Sequence, residues 1–334
     1  MPNKVCAYPF EYCEINPDGL VSFCCTYWIK QNYIGNINEE PFQNIWNSPA
    51  AQAIRQSILN DSYLYCNRNI CQNPQRPVRP EDTCPRIPQP RCITLTVDHE
   101  CNLSCITCRK KPVRYADLEL EKLNEKIDGY LALLKDVPTV RLSGKGDPFA
   151  SRNTSLLIMC LAETYPDMRF KFLTNGTLCN RKTMAALGVN GKVDSVEVSL
   201  HSATKEMWLE FTRGTAEQYD LLLKNISELA EMKRSGELSE FILNFVLTSV
   251  NYTELTDFVK LADKFSAKAR IWGYRNWDIQ TVQEAEELMI YNSQHRDYEK
   301  LQKIFKDPVF DLPCVFLYPE IKKVRFTLPN TATP

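Results

Sequence analysis

Three cysteines, Cys101, Cys105 and Cys108, stand with three residues and then two between them, directly after the apolar run of residues 93–97. Thiolates this close in a reduced chain are metal ligands by type, because soft sulfur donors suit iron–sulfur clusters and zinc. A cubane of four irons needs four corners held, so three cysteines leave one iron open to bind something else. Zinc is the competing reading. Structural zinc, however, wants four ligands as two close pairs, and no matching Cys or His pair follows at a finger-sized distance.

The remaining composition narrows the chemistry. Of fourteen cysteines, nine precede Cys105: Cys6, Cys13, Cys24, Cys25, Cys66, Cys71, Cys84, Cys92 and Cys101. The N-terminal sequence Met1-Pro2-Asn3-Lys4 lacks an apolar signal segment, and nowhere do eighteen apolar residues run together, so a cytoplasmic chain without a membrane partner is expected. In that compartment thiols stay reduced, and the cysteines read as cluster or metal ligands rather than disulfides. Only His99, His201 and His295 occur, which argues against a histidine-built metal site or a Ser-His-Asp hydrolase. A net charge of −1 across 334 residues gives no electrostatic case for nucleic acid.

The elements that must position these groups follow from periodicity. Strands are expected over 93–97, 138–142, 169–174, 193–199, 241–248 and 269–273, with amphipathic helices near 118–134, 152–165, 180–187, 217–234 and 252–265 between them. Alternation of this kind implies a parallel, right-handed wound sheet, either doubly wound or curved into a partial barrel. Ligands of such sheets gather at the carboxyl ends of the strands. Upstream, Asn16-Pro17-Asp18-Gly19 is turn chemistry between two apolar stretches, a hairpin that delivers Cys24 to a strand end, and a helix over 49–59 leads to Cys66 and Cys71. Six prolines within 72–91 forbid helix and mark a linker. The expected organisation is a cysteine-rich domain over 1–85, an α/β domain over 86–280, and a helical extension and tail over 281–334.

The C-x3-C-x2-C spacing in the setting Val97-Asp98-His99-Glu100-Cys101-Asn102-Leu103 resembles the radical S-adenosylmethionine (SAM) superfamily, with Thr107 where relatives often carry an aromatic residue. The resemblance implies a partial (β/α)6 TIM-type barrel whose [4Fe–4S] cluster, on Cys101, Cys105 and Cys108, binds SAM through its open iron. Reductive cleavage to a 5′-deoxyadenosyl radical and abstraction of a substrate hydrogen would follow. Residues Gly144-Lys145-Gly146-Asp147 resemble the family's Gly-Gly-Glu motif at the SAM amino group, with Lys145 and Asp147 as departures; a tight turn is the alternative. Asn175 lies in a Thr-Asn-Gly that is similar to the one after the third strand of many relatives, Ser199 matches the ribose contact, and Arg213 resembles the arginine that grips the SAM carboxylate. His201 stands where relatives often have Asp and is either a base or a satisfied polar group.

The first segment resembles the SPASM or twitch auxiliary-cluster modules of the same superfamily, which implies a closed second cluster on Cys6, Cys24, Cys66 and Cys71. Cys13 or Cys25 could replace one of these, and Cys84 and Cys92 either serve a further cluster or are buried thiols. Cys314 could donate a hydrogen atom to a substrate radical, ligate the auxiliary cluster, or be a buried thiol. On the resemblance, the expected reaction is dehydrogenation, epimerisation or crosslinking of a ribosomally made peptide, with oxidation or epimerisation of a sugar or aminoglycoside as the alternative and a flavodoxin- or ferredoxin-type reductant as partner. A non-catalytic iron–sulfur sensor or electron carrier is the reading from another class.

Overall fold

The computed structural model describes residues 4–26, 28–30, 33–68, 71, 76–77, 89–115, 121–122, 125–142, 145–277 and 279–326. Gly144 and Cys84 lie outside these residues. The chain divides into two compact units, one of residues 1–100, 115–172 and 187–192, the other of residues 101–114, 173–186 and 193–334.

The first unit contains β1 (Lys4–Val5), α1 (Tyr8–Glu11), β2 (Tyr12–Ile15), β3 (Leu20–Ser22), β4 (Gly35–Asn36), α2 (Phe42–Trp46), α3 (Pro49–Leu59), β5 (Arg76–Pro77), β6 (Cys92–Leu95), α4 (Ile127–Leu134), β7 (Thr139–Leu142), α5 (Arg152–Thr164) and the start of β8 (Arg169–Thr174). The hairpin expected around Gly19 forms β2 and β3, and Gly19 adopts the positive φ of 85° that its turn requires. Its sheet runs β4-β3-β2-β6-β7-β8, with β2, β6, β7 and β8 mutually parallel. Ser48 starts α3 by accepting the Ala51 N–H at 3.2 Å, and Ser151 starts α5 by accepting that of Thr154 at 3.0 Å.

Strand alternation separates two faces. Val140, Leu142, Phe170 and Phe172 are fully buried, while Thr139, Arg141, Arg169 and Lys171, pointing the other way, are half-buried. One face is therefore core and the other is polar. In the N-terminal segment Phe23 meets Trp46 edge-on at 5.3 Å, and the buried guanidinium of Arg55 lies 4.4 Å from the Trp46 ring while its Nε donates to the Pro9 carbonyl at 2.8 Å. Burial pulls Arg55 down to about 10, so it remains a cation at neutral pH.

The second unit contains α6 (Arg181–Ala186), β9 (Val193–Ser199), α7 (Lys205–Thr212), α8 (Ala216–Arg234), β10 (Glu240–Leu247), α9 (Leu255–Lys264), β11 (Lys268–Gly273), α10 (Val282–Leu288), α11 (Tyr298–Ile304), β12 (Val315–Leu317) and α12 (Pro319–Phe326). Strands β9, β10, β11 and β12 are parallel neighbours in that order. Thr215 and Gln218 form a reciprocal capping box at the start of α8.

Within each unit the parallel strands sit side by side in chain order. A doubly wound sheet would reverse that order at a switch point, whereas single-direction winding is the barrel type. The fold class is accordingly α/β with a parallel-dominated sheet of partial-barrel type, as expected from the sequence.

Two pairings cross the boundaries expected at residues 85 and 280. β2 pairs in parallel with β6, Cys13 opposite Ile93 and Ile15 opposite Leu95, so the cysteine-bearing segment contributes a strand to the α/β sheet. β12 pairs with β11, so the expected tail adds another parallel strand. Val315-Phe316-Leu317 is too short, between Pro313 and Pro319, to declare itself by alternation. Among the described residues no helix is long and apolar enough to cross a membrane.

Candidate functional site

The cysteine loop begins where the second unit's first segment begins. Its backbone is held at several points: Cys101 N–H donates to the Val113 carbonyl at 3.1 Å, Ser104 N–H to Thr212 at 3.2 Å and Ile106 N–H to Phe211 at 2.9 Å. The last two acceptors are carbonyls at the C-terminus of α7, which have no partner inside their own helix. Gln280 Nε2 donates to the Ile106 carbonyl, tying the segment after β11 to the same loop.

A side-chain network braces the first cysteine. Asn175 Nδ2 donates to Asn102 Oδ1 at 2.8 Å and lies 3.8 Å from Cys101 Sγ. Asn102 Nδ2 in turn donates to Thr177 Oγ1 at 2.9 Å, and Asn175 Oδ1 accepts the Thr177 N–H at 2.9 Å and hydroxyl at 2.6 Å. Asn175 thus spends its amide on the loop. The bracing residues Asn102, Thr177 and Gln280 were not singled out from sequence; their only signal was adjacency to Cys101, to the Thr-Asn-Gly turn and to the end of the sixth strand.

The three thiols lie within one another's electrostatic reach. Burial pushes the Cys105 thiol up, Cys108 and Cys101 add to the rise, and Arg109 opposes it. Arg109 Nη2 sits 3.4 Å from Cys108 Sγ. Arg213 follows the carbonyl that Ser104 binds, in the left-handed region at φ 55°, and its Nη1 is 3.4 Å from the Lys110 carbonyl. Arg213 is exposed.

Ser199 ends β9 opposite Asn244 of β10. His201 is buried beside Phe211, with ring centroids 5.1 Å apart, and its Nδ1 accepts the Val246 N–H at 3.1 Å. Burial pulls His201 down to about 4, so it is a neutral, satisfied group at neutral pH and not a poised base. The unfolded chain binds this proton near pH 6.5 and the folded chain only near 4, so stability is present above 6.5 and is lost as pH falls between those values. The loss is about 3 kcal/mol. Urea midpoints of the wild type should fall over that interval more steeply than those of His201→Asn; parallel slopes would refute the assignment.

In the first unit, Gly146 packs where a side chain would not fit: a Cβ there would stand 2.8 Å from the Glu100 carbonyl oxygen and 2.9 Å from that of Asp98. Asp147 N–H donates to the Glu100 carbonyl at 2.8 Å, and its carboxylate accepts the Phe149 and Ala150 N–H groups at 3.0 and 3.1 Å. The carboxylate of Asp147 serves the turn, and Lys145 is exposed. Asp98 is likewise occupied, accepting from Ser151 Oγ at 2.6 Å and from the Glu100 N–H at 2.9 Å.

The N-terminal cysteines form a second group in the same unit. Burial pushes Cys24 well up, and Glu14, Cys6, Cys71 and Cys25 add to the rise. Burial and then Cys71 push Cys66 up to about 11, and Cys66 packs against the apolar cluster that contains Cys6. Fully buried Cys13 instead has Cys92 as its nearest thiol influence. Among the described residues no three Cys, His, Asp or Glu side chains converge on a point as a single ion would need. The donor chemistry of both groups, thiolate sulfur, fits iron–sulfur clusters.

Cys314 is not brought to the cysteine loop of its own unit. It precedes β12, where its carbonyl accepts the Ala269 N–H at 2.8 Å, and its Sγ lies 3.9 Å from Asp263 at the end of α9. That is the amino end of β11 and β12, opposite to the carboxyl end from which Gln280 reaches the cysteine loop. Trp272, half-buried, packs on Tyr318 with ring centroids 5.3 Å apart.

Comparison with known proteins adds to this picture. Residues 6–72 match the iron–sulfur cluster-binding SPASM domain, and residues 97–262 match the radical SAM superfamily. Curated relatives include mycofactocin maturase MftC of Mycobacterium ulcerans (strain Agy99), 25% identical over 54% of this chain and 47% of the relative. A probable GTP 3′,8-cyclase of Saccharolobus islandicus (strain Y.N.15.51 / Yellowstone #2) is 26% identical over 51% of this chain and 52% of the relative. The chain spans about half the length of the curated relatives it matches. Among solved structures, anSMEcpe with bound AdoMet is 18% identical at a TM-score of 0.44, covering 64% of this chain and 59% of that one.

Proposed function

The chain belongs to the radical SAM superfamily, and from that premise we propose that it cleaves SAM reductively at Cys101, Cys105 and Cys108 to modify a peptide. Its cofactors are a SAM-binding [4Fe–4S] cluster, SAM and auxiliary iron–sulfur chemistry in the SPASM segment. When bound, the first cluster supplies one electron that breaks the C5′–S bond of SAM, leaving methionine and a 5′-deoxyadenosyl radical that takes a hydrogen atom from the substrate.

The observation that carries this reading is the bracing of the cysteine loop. Asn175, Asn102 and Thr177 fix Cys101, and two carbonyls of α7 fix the backbone between Cys101 and Cys108. A loop held in this way has its backbone fixed without help from the metal, which lowers the ordering cost of assembly. The same α7 terminus sets Arg213 beside the loop, where its fixed fork of donors would grip the SAM carboxylate. Ser199 would meet the ribose. The backbone of residues 145–147 would meet the amino group, since the Asp147 carboxylate is already engaged.

Cys6, Cys24, Cys66 and Cys71 would hold the auxiliary cluster, and the SPASM match spans all four. A peptide substrate is supported by the maturase named among the relatives. A flavodoxin- or ferredoxin-type protein would supply the electron. The test is anaerobic reconstitution with iron and sulfide, reduction with dithionite, and assay of 5′-deoxyadenosine from SAM. Formation above a no-protein control is expected; its absence from cluster-loaded protein would overturn the reading. Mass spectrometry of candidate peptides encoded beside this chain would then test the substrate class.

A further inference from the structure

On the face of the second unit's sheet that carries Ser199, one side chain has nothing to bond to. Asn244 of β10 stands in register with Ser199 of β9 on one side and with Arg270 of β11 on the other. In-register neighbours of a sheet project to the same face, so the three form a row. Asn244 is fully buried, and neither its Nδ2 nor its Oδ1 has a hydrogen-bond partner among the described residues. An asparagine amide carries two N–H donors and an acceptor oxygen, and here the whole of that capacity is unused out of reach of water. Burying donor and acceptor together without partners costs the desolvation of both, and such a group calls for a partner beyond the chain's own hydrogen bonds.

The neighbours in the row do not supply it. Arg270 turns its Nη1 to Glu197 Oε2 at 2.6 Å, one layer toward the amino ends of the strands. The Ser199 hydroxyl is itself without a hydrogen bond among the described residues. Toward the carboxyl ends the same face opens. Ser199 is half-buried, as are Val246 and Trp272, which stand in register one layer beyond Asn244. Trp272 Nε1 is a further buried donor without a partner on that layer. Unbonded polar atoms thus gather toward the carboxyl ends of three adjacent parallel strands, the end at which such sheets bind ligands.

The two-sided character of the amide selects the chemistry that completes it. A carboxylate only accepts and an ammonium only donates, so either would leave half of the amide unmet, whereas a hydroxyl does both. Ser199, one strand spacing away at about 5 Å, is a second group that both donates and accepts. Two such groups side by side match two adjacent hydroxyls. We propose that Asn244 is a further ribose-binding residue, which together with Ser199 holds the cis-diol of SAM. The assignment rests on the SAM reading above and extends it to a residue within β10.

The test is equilibrium binding without reductant, so that no chemistry intervenes. Reconstituted, oxidised holoprotein is titrated calorimetrically with SAM, with 2′-deoxy-SAM and with 3′-deoxy-SAM. Wild-type protein should bind SAM at least tenfold more tightly than one of the deoxy analogues, because the analogue leaves a buried polar group unmet. Asn244→Leu, of the same branched shape, should bind SAM about tenfold more weakly and that analogue nearly as the wild type does, which brings the ratio toward one. Asn244→Ala serves if the leucine variant fails to fold. In SAM-free protein the urea midpoint of Asn244→Leu should equal or exceed that of the wild type, since an unmet amide has been removed. Unchanged SAM affinity in the variants, or an equal loss for SAM and both analogues, would overturn the contact alone; a wild-type holoprotein that binds no SAM would overturn the catalytic reading with it.

Discussion

Replacing any one of Cys101, Cys105 and Cys108 with alanine is expected to bring 5′-deoxyadenosine formation down to the level of the no-protein control and to remove about four irons per chain. A cubane held at only two corners is not retained, and SAM has no iron to chelate. The three variants should behave alike, since each removes one corner of the same group, and the effect should not be additive in combination. Asn175→Ala provides the graded counterpart. It deletes the donor to Asn102 and the acceptor for Thr177, costing about 1–3 kcal/mol for groups left unsatisfied, without removing a ligand. Iron should still load in Asn175→Ala, but be lost faster to a chelator than from the wild type. Full activity in any of the three cysteine variants would sink the proposed mechanism, whereas an Asn175→Ala variant with wild-type chelator resistance would sink only the bracing role.

The second large effect concerns the N-terminal thiols. Wild-type protein should hold about eight irons, and Cys24→Ala or Cys66→Ala about four. The remaining cluster should still show a SAM-induced change in its electron paramagnetic resonance spectrum, because that change reports the open iron of the other site. Cys13→Ala is the control: Cys13 is fully buried on β2, with Cys92 rather than the quartet as its main thiol neighbour, so iron content should stay near eight. Loss of four irons in Cys13→Ala with retention in Cys24→Ala would exchange the two assignments. A wild-type count of about twelve would bring Cys92, and Cys84 beyond the described residues, into a third cluster.

The proposed SAM residues were legible to different degrees. Cys101, Cys105 and Cys108 were plain because their relation is covalent: a short spacing limits how far apart three sulfurs can lie whatever the rest of the chain does. Arg213 was legible as a motif, but its position beside the loop depends on α7, a helix the periodicity did not predict. Asp147 has the residue type of a ligand group, yet its carboxylate caps the turn that follows. His201 looked capable of proton transfer, and burial against Phe211 makes it neutral instead. A side chain's type states what it can do, while its neighbours decide which of those things it does.

The amino-acid sequence by itself determined the ligand chemistry of the cysteine loop and the βα alternation that makes a parallel sheet, because spacing and periodicity act over short stretches of chain. Only the tertiary structure decided that β2 pairs with β6 and β12 with β11, that Cys24 joins Cys6 and Cys71 while Cys13 turns to Cys92, that Asn175 braces Cys101, and that Cys314 sits at the far end of its strand. Each of these is a meeting of residues distant in the chain, set by strand register and by which face of an element is buried. A one-residue change of register in β2 would send Cys13 to the opposite face without altering the local pattern.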